Sequence, residues 1–503
     1  MPTTTRPRFS HNWVSYAGMA IAALAFVSFV FLLLFHALGG AIHAPYAGLV
    51  IFILVPSFLI LGLLLIPVGM FFEWRRWKRN KPPSIGEYPQ LDLNDPQHRK
   101  MLLAFATVAL IFVFLSVYGS YRAYRYTESV SFCGMLCHRV MQPEYVSHEE
   151  SAHARVRCVD CHVGPGAAYF FSTKVQGVIQ IYDVVTHTYP QPIPAPISAL
   201  RPAREICEQC HWPAKFFGGQ ERAIVHFLPD KQNTAWTIAL LLKVGGAGVY
   251  RPEARGIHWH VGPHTRLEYL AIDRQRQNIP WVRYTDLSTG NSTVYRAPDA
   301  PPDSKIDPSD VRIMDCMDCH DRPTHIFRSP NDLMNRLMIA GYVDPGLPDA
   351  KQTGVTLLAK KYKAKEEALA AIAGGWSAYY RTKYPDLARE RQESISHSAA
   401  MIQTAYRQNF FPYMKVRWDT YLDNIGHLNS LGCYRCHDGE HKRPDGRVVG
   451  KDCRQCHAIV RQGTAEKMEY ASGPEGLAFQ HPTDIQGLWR MMNCSQCHSG
   501  ALP

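Results

Sequence analysis

Apolar and polar positions divide the chain into unequal regimes. Residues 13–38, 47–72 and 101–121 are apolar runs, each long enough to cross a bilayer, for which about 20 residues suffice. No Asp, Glu, Lys or Arg occurs between Arg8 and Glu73. The short turn at 39–46 predicts that the first two runs form a helical hairpin. The first run exceeds the apolar stretch of a cleaved signal peptide and no A-x-A site follows it, so it reads as a retained helix. Segment 73–100 is basic at both ends, through Arg75, Arg76, Lys78, Arg79, Lys81, Arg99 and Lys100. The positive-inside rule places this loop in the cytoplasm and everything after Tyr121 outside. Beyond the anchor, the first half of 167–202 has an amphipathic helical pattern that Pro190, Pro192, Pro194 and Pro196 end. From 221 to 310 the pattern alternates: EYLAI, WVRYT and STVYR read as strands and STGNS as a hairpin loop. GIHWHVGPH reads as extended, with His258 and His260 on one face. Residues 331–425 read as helices, and 426–503 as a segment with little regular structure.

Composition sharpens this at the cysteines. All 14 fall into seven pairs, each followed at once by histidine. In chain order the motifs are Cys133, Cys137 and His138; Cys158, Cys161 and His162; Cys207, Cys210 and His211; Cys316, Cys319 and His320; Cys433, Cys436 and His437; Cys453, Cys456 and His457; and Cys494, Cys497 and His498. C-x-x-C-H attaches c-type haem: two thiols bond the vinyl groups and the next imidazole reaches the iron. The first pair has three intervening residues instead of two. Structural zinc and disulfides are the alternatives for cysteine pairs, but histidine makes up only 23 of 503 residues and yet follows every pair. Seven c-type haems are the cofactors expected. Their propionates would offset the formal charge of +11, which removes the basic balance as an argument for nucleic acid. Thioether attachment takes place outside the bacterial cytoplasm, in agreement with the topology. Only residues 122–132 separate Tyr121 from Cys133, a reach of roughly 40 Å at full extension, so the first haem lies near the outer membrane boundary, within reach of a lipid-soluble quinol.

The expected fold class is a mainly α membrane anchor of three transmembrane helices joined to a multihaem cytochrome c domain, with a small β-rich insertion and little regular structure around the haems. The expected domains are the anchor (1–121), haems 1–3 (122–220), the β-rich insertion with haem 4 (221–330), a helical segment (331–425) and haems 5–7 (426–503).

At FCGMLCHRVMQPEY and SAHARVRCVDCHVGPGA the sequence resembles the NapC/NirT/NrfH family of membrane-anchored multihaem quinol dehydrogenases. A membrane helix runs directly into the first motif, a methionine follows it, and a histidine precedes the second. The layout of three helices, seven motifs and a terminal NIGH…GCYRCHDGEH resembles the longer, ImcH-type branch. The chain departs from short tetrahaem members in two additional helices, the gap from His211 to Cys316, and the wider first motif. The resemblance implies an inner-membrane, periplasm-facing quinol:cytochrome c oxidoreductase. It would pass electrons from menaquinol or another quinol to periplasmic multihaem cytochromes or a reductase complex. The alternatives are a relay subunit without its own quinone site and a catalytic multihaem reductase.

Iron with two protein ligands suits electron transfer; an open position suits catalysis. Twelve histidines besides the seven proximal ones follow Tyr121, more than the irons need. By resemblance, Met141 is the distal ligand for haem 1, and His153 and His187 are the foremost histidines. His427 and His441 flank motif 5; His226, His325 and His481 follow, and one of His258, His260 and His264 is expected to ligate. The resemblance also places Lys174 and Asp183 at the quinone site, the lysine bonding a quinone oxygen and the acid accepting a proton.

Overall fold

The computed structural model describes residues 9–37, 55–79, 82, 92–136, 138–164, 167–196, 202–212, 216, 218–245 and 256–501. Its two compact units are Met1–Cys133 with Cys158–Ile179, and Gly134–Arg157 with Gln180–Pro503.

In the first unit, α1 (Trp13–Ala37) and α2 (Val55–Lys78) pair side by side. Each contains a stretch long and apolar enough to cross a membrane, Trp13–Phe31 and Ser57–Lys78. The expected turn at 39–46 and the start of the second run, 47–54, lie outside the described residues. Small residues bring the two helices together. A Cβ on Gly18 would stand 2.7 Å from the Gly62 carbonyl oxygen, and one on Gly62 would stand 2.6 Å from the Ala22 nitrogen. Such close approach yields dispersion contacts where lipid removes the hydrophobic drive. Ser15 adds a bond across the seam, its hydroxyl donating to the Ile66 carbonyl at 3.0 Å.

Helix α3 (Pro96–Thr127) starts at an Asp95 cap, whose carboxylate accepts the Gln97 N–H, with proline at the first position, as helix starts favour. Charges flank its uncharged middle: Arg99 and Lys100 at one end, Arg122 and Arg125 at the other. At its C-terminal end Tyr124 packs with Cys133, Val159 and Val163.

The second unit holds α4 (His138–Glu149), two sheets and a helical block. Helix α5 (Cys158–His162) belongs to the first unit. Helix α6 (Ala167–Thr186) begins in the first and ends in the second, stopping before the four prolines. The short α7 (Ala203–Cys207) leads into motif 3.

One sheet has the order β5-β4-β3-β6, all antiparallel: β3 (Thr265–Leu270), β4 (Trp281–Asp286), β5 (Ser292–Arg296) and β6 (Val311–Ile313). The turn expected at STGNS joins β4 to β5, with Gly290 at φ +75°. The other sheet corrects the sequence reading. The hairpin of β1 (Gln220–Phe227) and β2 (Ala235–Leu242) continues into β7 (His457–Gly463) and β8 (Met468–Tyr470) of the C-terminal segment, where little regular structure is expected from the sequence. An unpaired β2 edge needs a partner for its N–H and C=O groups, and the β-branched run Ile459–Val460 supplies it.

The helical block comprises α8 (Pro330–Ile339), α9 (Ala350–Ala359), α10 (Lys365–Lys383), α11 (Pro385–Glu390) and α12 (Gln392–Asn409). Ser329 caps α8, accepting from Asp332 N. Ala368, Ile372, Trp376 and Tyr380 recur every fourth position along α10 and are fully buried, the stripe that the helical period demands. They meet Ile395, Ala399, Ile402 and Tyr406 of α12 and Met334 of α8 in one core.

Candidate functional site

A helical turn accounts for the C-x-x-C-H spacing. It sets positions i, i+3 and i+4 on one face, so both thiols and the imidazole converge. The His211, His320, His437 and His498 amides close that turn on the carbonyls of Cys207, Cys316, Cys433 and Cys494, at 2.7, 2.8, 3.0 and 2.8 Å. Short polar side chains start several turns: Asp315 accepts from Met317 N and Asp452 from Arg454 N. Cys158–His162 forms one α turn. The wider first motif runs through a π-helical turn, Phe132–Leu136, whose looser winding absorbs one more residue. Cys137 lies outside the described residues, and His138 opens α4.

No disulfide joins the described cysteines, as thioether attachment requires. Free cysteine is among the most often buried residue types, yet none of these is fully buried. Cys210, Cys453 and Cys497 are exposed, while Cys161 and the other described cysteines are half-buried. Cys210, Cys453 and Cys497, in motifs 3, 6 and 7, thus face out of the protein's own packing, where a flat external group could reach them. No group of three or more His, Cys, Asp or Glu side chains gathers as a metal cluster among the described residues. A cysteine pair and one histidine per turn therefore do not assemble into the four-ligand cage that structural zinc needs, which disfavours that alternative.

Five histidine pairs form in the second unit. Ring centroids are 6.1 Å apart for His153 and His211, 6.3 Å for His258 and His320, 5.9 Å for His260 and His437, 6.3 Å for His427 and His457, and 6.0 Å for His481 and His498. Every pair joins one motif histidine to one from elsewhere. Two metal–nitrogen bonds of about 2 Å, plus about 1 Å from nitrogen to ring centre on each side, sum to about 6 Å. The separation therefore fits one metal ion between the rings. Backbone carbonyls hold several rings by Nδ1: Pro323 O for His153, Val244 O for His258, Ile257 O for His260, Gly450 O for His437 and Thr483 O for His481. An Nδ1–H donated to a carbonyl leaves the Nε2 lone pair for a metal. The carbonyls carry no sequence signal, since any residue supplies one.

His258 and His260 depart from the extended reading. Ile257–Val261 is a 3-10 turn, and at three residues per turn i and i+2 diverge. The two rings therefore serve different motifs, where one ligand is expected from the sequence among His258, His260 and His264. His264 instead meets the Ser288 hydroxyl at 3.2 Å.

Other expected ligands lie elsewhere. His441 spends Nε2 on the Ile279 carbonyl at 2.7 Å and Nδ1 on the Asp438 carboxylate at 3.0 Å. Although burial opposes the charge, Asp438 and the carbonyl outweigh it and raise its pKa. Both ring nitrogens are thus engaged within this fold. His226 accepts at Nδ1 from the Asn335 amide, 3.2 Å, because Asn335 Oδ1 is already taken by Phe227 N and Lys351 Nζ. Its neutral ring then carries the proton on Nε2, the tautomer opposite to that of the carbonyl-held rings. His325 faces the Glu144 carbonyl through Nδ1 at 3.0 Å. Met141 stands half-buried on α4, one turn past His138, and His187 follows α6 at φ 57°.

Lys174 and Asp183 share α6, nine residues apart. Asp183 accepts from the Thr188 hydroxyl at 3.0 Å. The Lys174 side chain lies outside what is described.

The motifs also touch one another. Thiols meet in hydrogen-bond contact at Cys133 and Cys158, at Cys207 and Cys316, and at Cys433 and Cys456. Motifs 1 and 2, 3 and 4, and 5 and 6 are thus neighbours.

Residues 95–192 match the N-terminal region of the NapC/NirT cytochrome c family, and residues 426–501 match cytochrome c3. The cytochrome c-type protein ImcH of Geobacter sulfurreducens is 40% identical over 504 residues, covering 99% of this chain and 97% of that protein. The cytochrome c nitrite reductase subunit NrfH of Nitratidesulfovibrio vulgaris is 28% identical over 123 residues, 24% of this chain and 71% of that one. No solved structure matches. Turn-borne C-x-x-C-H motifs and a full-length match to ImcH converge: the chain belongs to the NapC/NirT family of multihaem cytochromes c.

Proposed function

We propose that this electron-transfer cytochrome carries seven haems in the inner membrane and its periplasmic face, oxidises menaquinol or a related quinol, and delivers the electrons to periplasmic cytochromes or a reductase. The five histidine pairs carry the reading. An iron held by such a pair would suit electron transfer rather than substrate chemistry, so a catalytic reductase is the less favoured alternative. Two thioethers would hold each haem: Cys133 with Cys137, Cys158 with Cys161, Cys207 with Cys210, Cys316 with Cys319, Cys433 with Cys436, Cys453 with Cys456, and Cys494 with Cys497. His153, His258, His260, His427 and His481 would cap motifs 3 to 7. Met141, His187 and His325 remain as ligands for motifs 1 and 2. Bound haem supplies one-electron acceptors and donors.

Three features support a quinol donor. Helix α3 would be the third membrane span and leads into the first motif. The basic loop 73–100 would lie in the cytoplasm. Helix α6 exposes Val175, Ile179, Tyr182 and Val185, a stripe at helical spacing that suits the membrane interface. Quinol oxidation releases two electrons and two protons. Lys174 would hydrogen-bond a ring oxygen and Asp183 would accept a proton from the quinol.

Anaerobic reduction of the full chain in nanodiscs by a menaquinol analogue tests this. Lys174→Ala is expected to slow quinol-driven reduction at least about tenfold, within the range of a lost polar contact to a reacting group, with dithionite reduction unchanged. Reduction by dithionite but never by quinol in the unmodified protein would replace this reading with that of a relay subunit fed by a partner.

A further inference from the structure

Arg435 is the fourth residue of the motif-5 turn Gly432–Arg435 and stands immediately before Cys436. It is a charged side chain in an unusual place, only 8% exposed. Its guanidinium donates to three backbone carbonyls: Nε to Gly432 at 2.9 Å, Nη1 to Arg276 at 3.0 Å and Nη2 to Asp318 at 2.5 Å. Asp318 occupies the matching place in motif 4, immediately before Cys319. One side chain therefore ties the two motif turns together.

No carboxylate is among those three partners. The Asp318 carboxylate is spent elsewhere, accepting from Tyr269 at 2.6 Å, Arg312 at 2.9 Å, Arg276 at 3.1 Å and the Asp315 N–H at 2.7 Å. Asp438 faces His441, and Asp321 accepts from Asn424 N and Nδ2 at 3.1 and 2.8 Å. The Arg435 charge is thus hydrogen-bonded but not paired, and its field reaches Cys319, Cys433 and Cys436.

We propose that Arg435 is a fixed positive charge shared by the fourth and fifth haem sites, raising the reduction potential of both and locking their two attachment turns together. This rests on the reading that both motifs hold haem. An oxidised haem iron carries one more positive charge than a reduced one, so a nearby cation favours the reduced state. Burial strengthens that effect because water screens it less. Arginine does not deprotonate in proteins, so the bias is independent of pH. The middle of the relay becomes an electron sink, and the three carbonyl bonds hold the two turns at constant separation.

The test is a spectroelectrochemical titration of full-length protein in nanodiscs, after haem content is measured by pyridine haemochrome. Fewer than seven haems in unmodified protein would overturn the heptahaem reading itself, separately from this proposal. In Arg435→Gln, two transitions are expected to move to lower potential by a factor of about ten in their electron-sharing equilibrium, about 59 mV for a one-electron couple. The others should hold. His258→Met and His260→Met should move the same two transitions and so identify them. Arg435→Lys, which keeps the charge but not the fork, should restore them. Unchanged potentials in a fully loaded Arg435→Gln would overturn the proposal, as would a uniform shift of all haems or an Arg435→Lys that behaves like the glutamine. Should Arg435→Gln lose haem, a second charge-removing variant serves instead. In that event Arg435→Met, which keeps the buried stem and removes the charge, should lower the same two potentials, and no fall overturns the proposal.

Discussion

Asp349 concentrates three donors on one oxygen: Tyr379 at 2.6 Å, Tyr384 at 2.7 Å and Lys383 at 2.8 Å. Desolvation pushes its pKa up, but those three bonds outweigh it and hold the carboxyl at about 2. A depressed carboxyl pKa stabilises the folded state above the unfolded value, and the contribution fades as pH falls from about 4 towards about 2. Asp349→Asn is expected to melt at lower temperature at pH 7, with the gap to the unmodified protein closing as pH falls to about 2. Asparagine tolerates the left-handed backbone there, φ 56°, so the comparison isolates the charge. A gap still open at pH 2 would assign the loss to packing. The residue scale also shows the limits of spacing. His441 follows CYRCH closely and reads as a ligand, yet Asp438 and the Ile279 carbonyl take both its nitrogens.

Among the elements, the α1–α2 pair depends on glycines that allow backbone contact. Gly62→Leu is expected to part the helices and cost about 1–3 kcal/mol, the usual range for overpacking. Thermal melting followed by size-exclusion chromatography in detergent would record it, and an unchanged melt would show that the pair does not need close contact. Element type was legible wherever one period ran long, as in α10 and α12 or the β4–β5 hairpin. The 3-10 turn at Ile257–Val261 was not, because five residues fit an extended strand and a tight turn equally well.

For the whole molecule, five histidine pairs predict closed irons. The oxidised protein should show low-spin spectra for at least five haems, and those five, once reduced, should bind no carbon monoxide. His260→Ala should open one iron, seen as a new high-spin signal and one carbon monoxide-binding haem. A variant without that signal would remove His260 from the ligand set. The second sheet belongs to this scale too: β7, beginning at His457, extends a sheet begun by β1 and β2, so the C-terminal motif segment shares a framework with the insertion.

What the sequence determined by itself is local chemistry. Cysteine, cysteine and histidine within one helical turn specify covalent attachment whatever surrounds them, and an uncharged apolar run needs only its length to suit a bilayer. The tertiary structure decided which distant histidine faces each of motifs 3 to 7, that Asn335 and Asp438 bond His226 and His441, and that Arg435 bridges two motif turns. Those outcomes depend on contacts between residues far apart in the chain, and on backbone carbonyls that every residue possesses, so no spacing along the chain could reveal them.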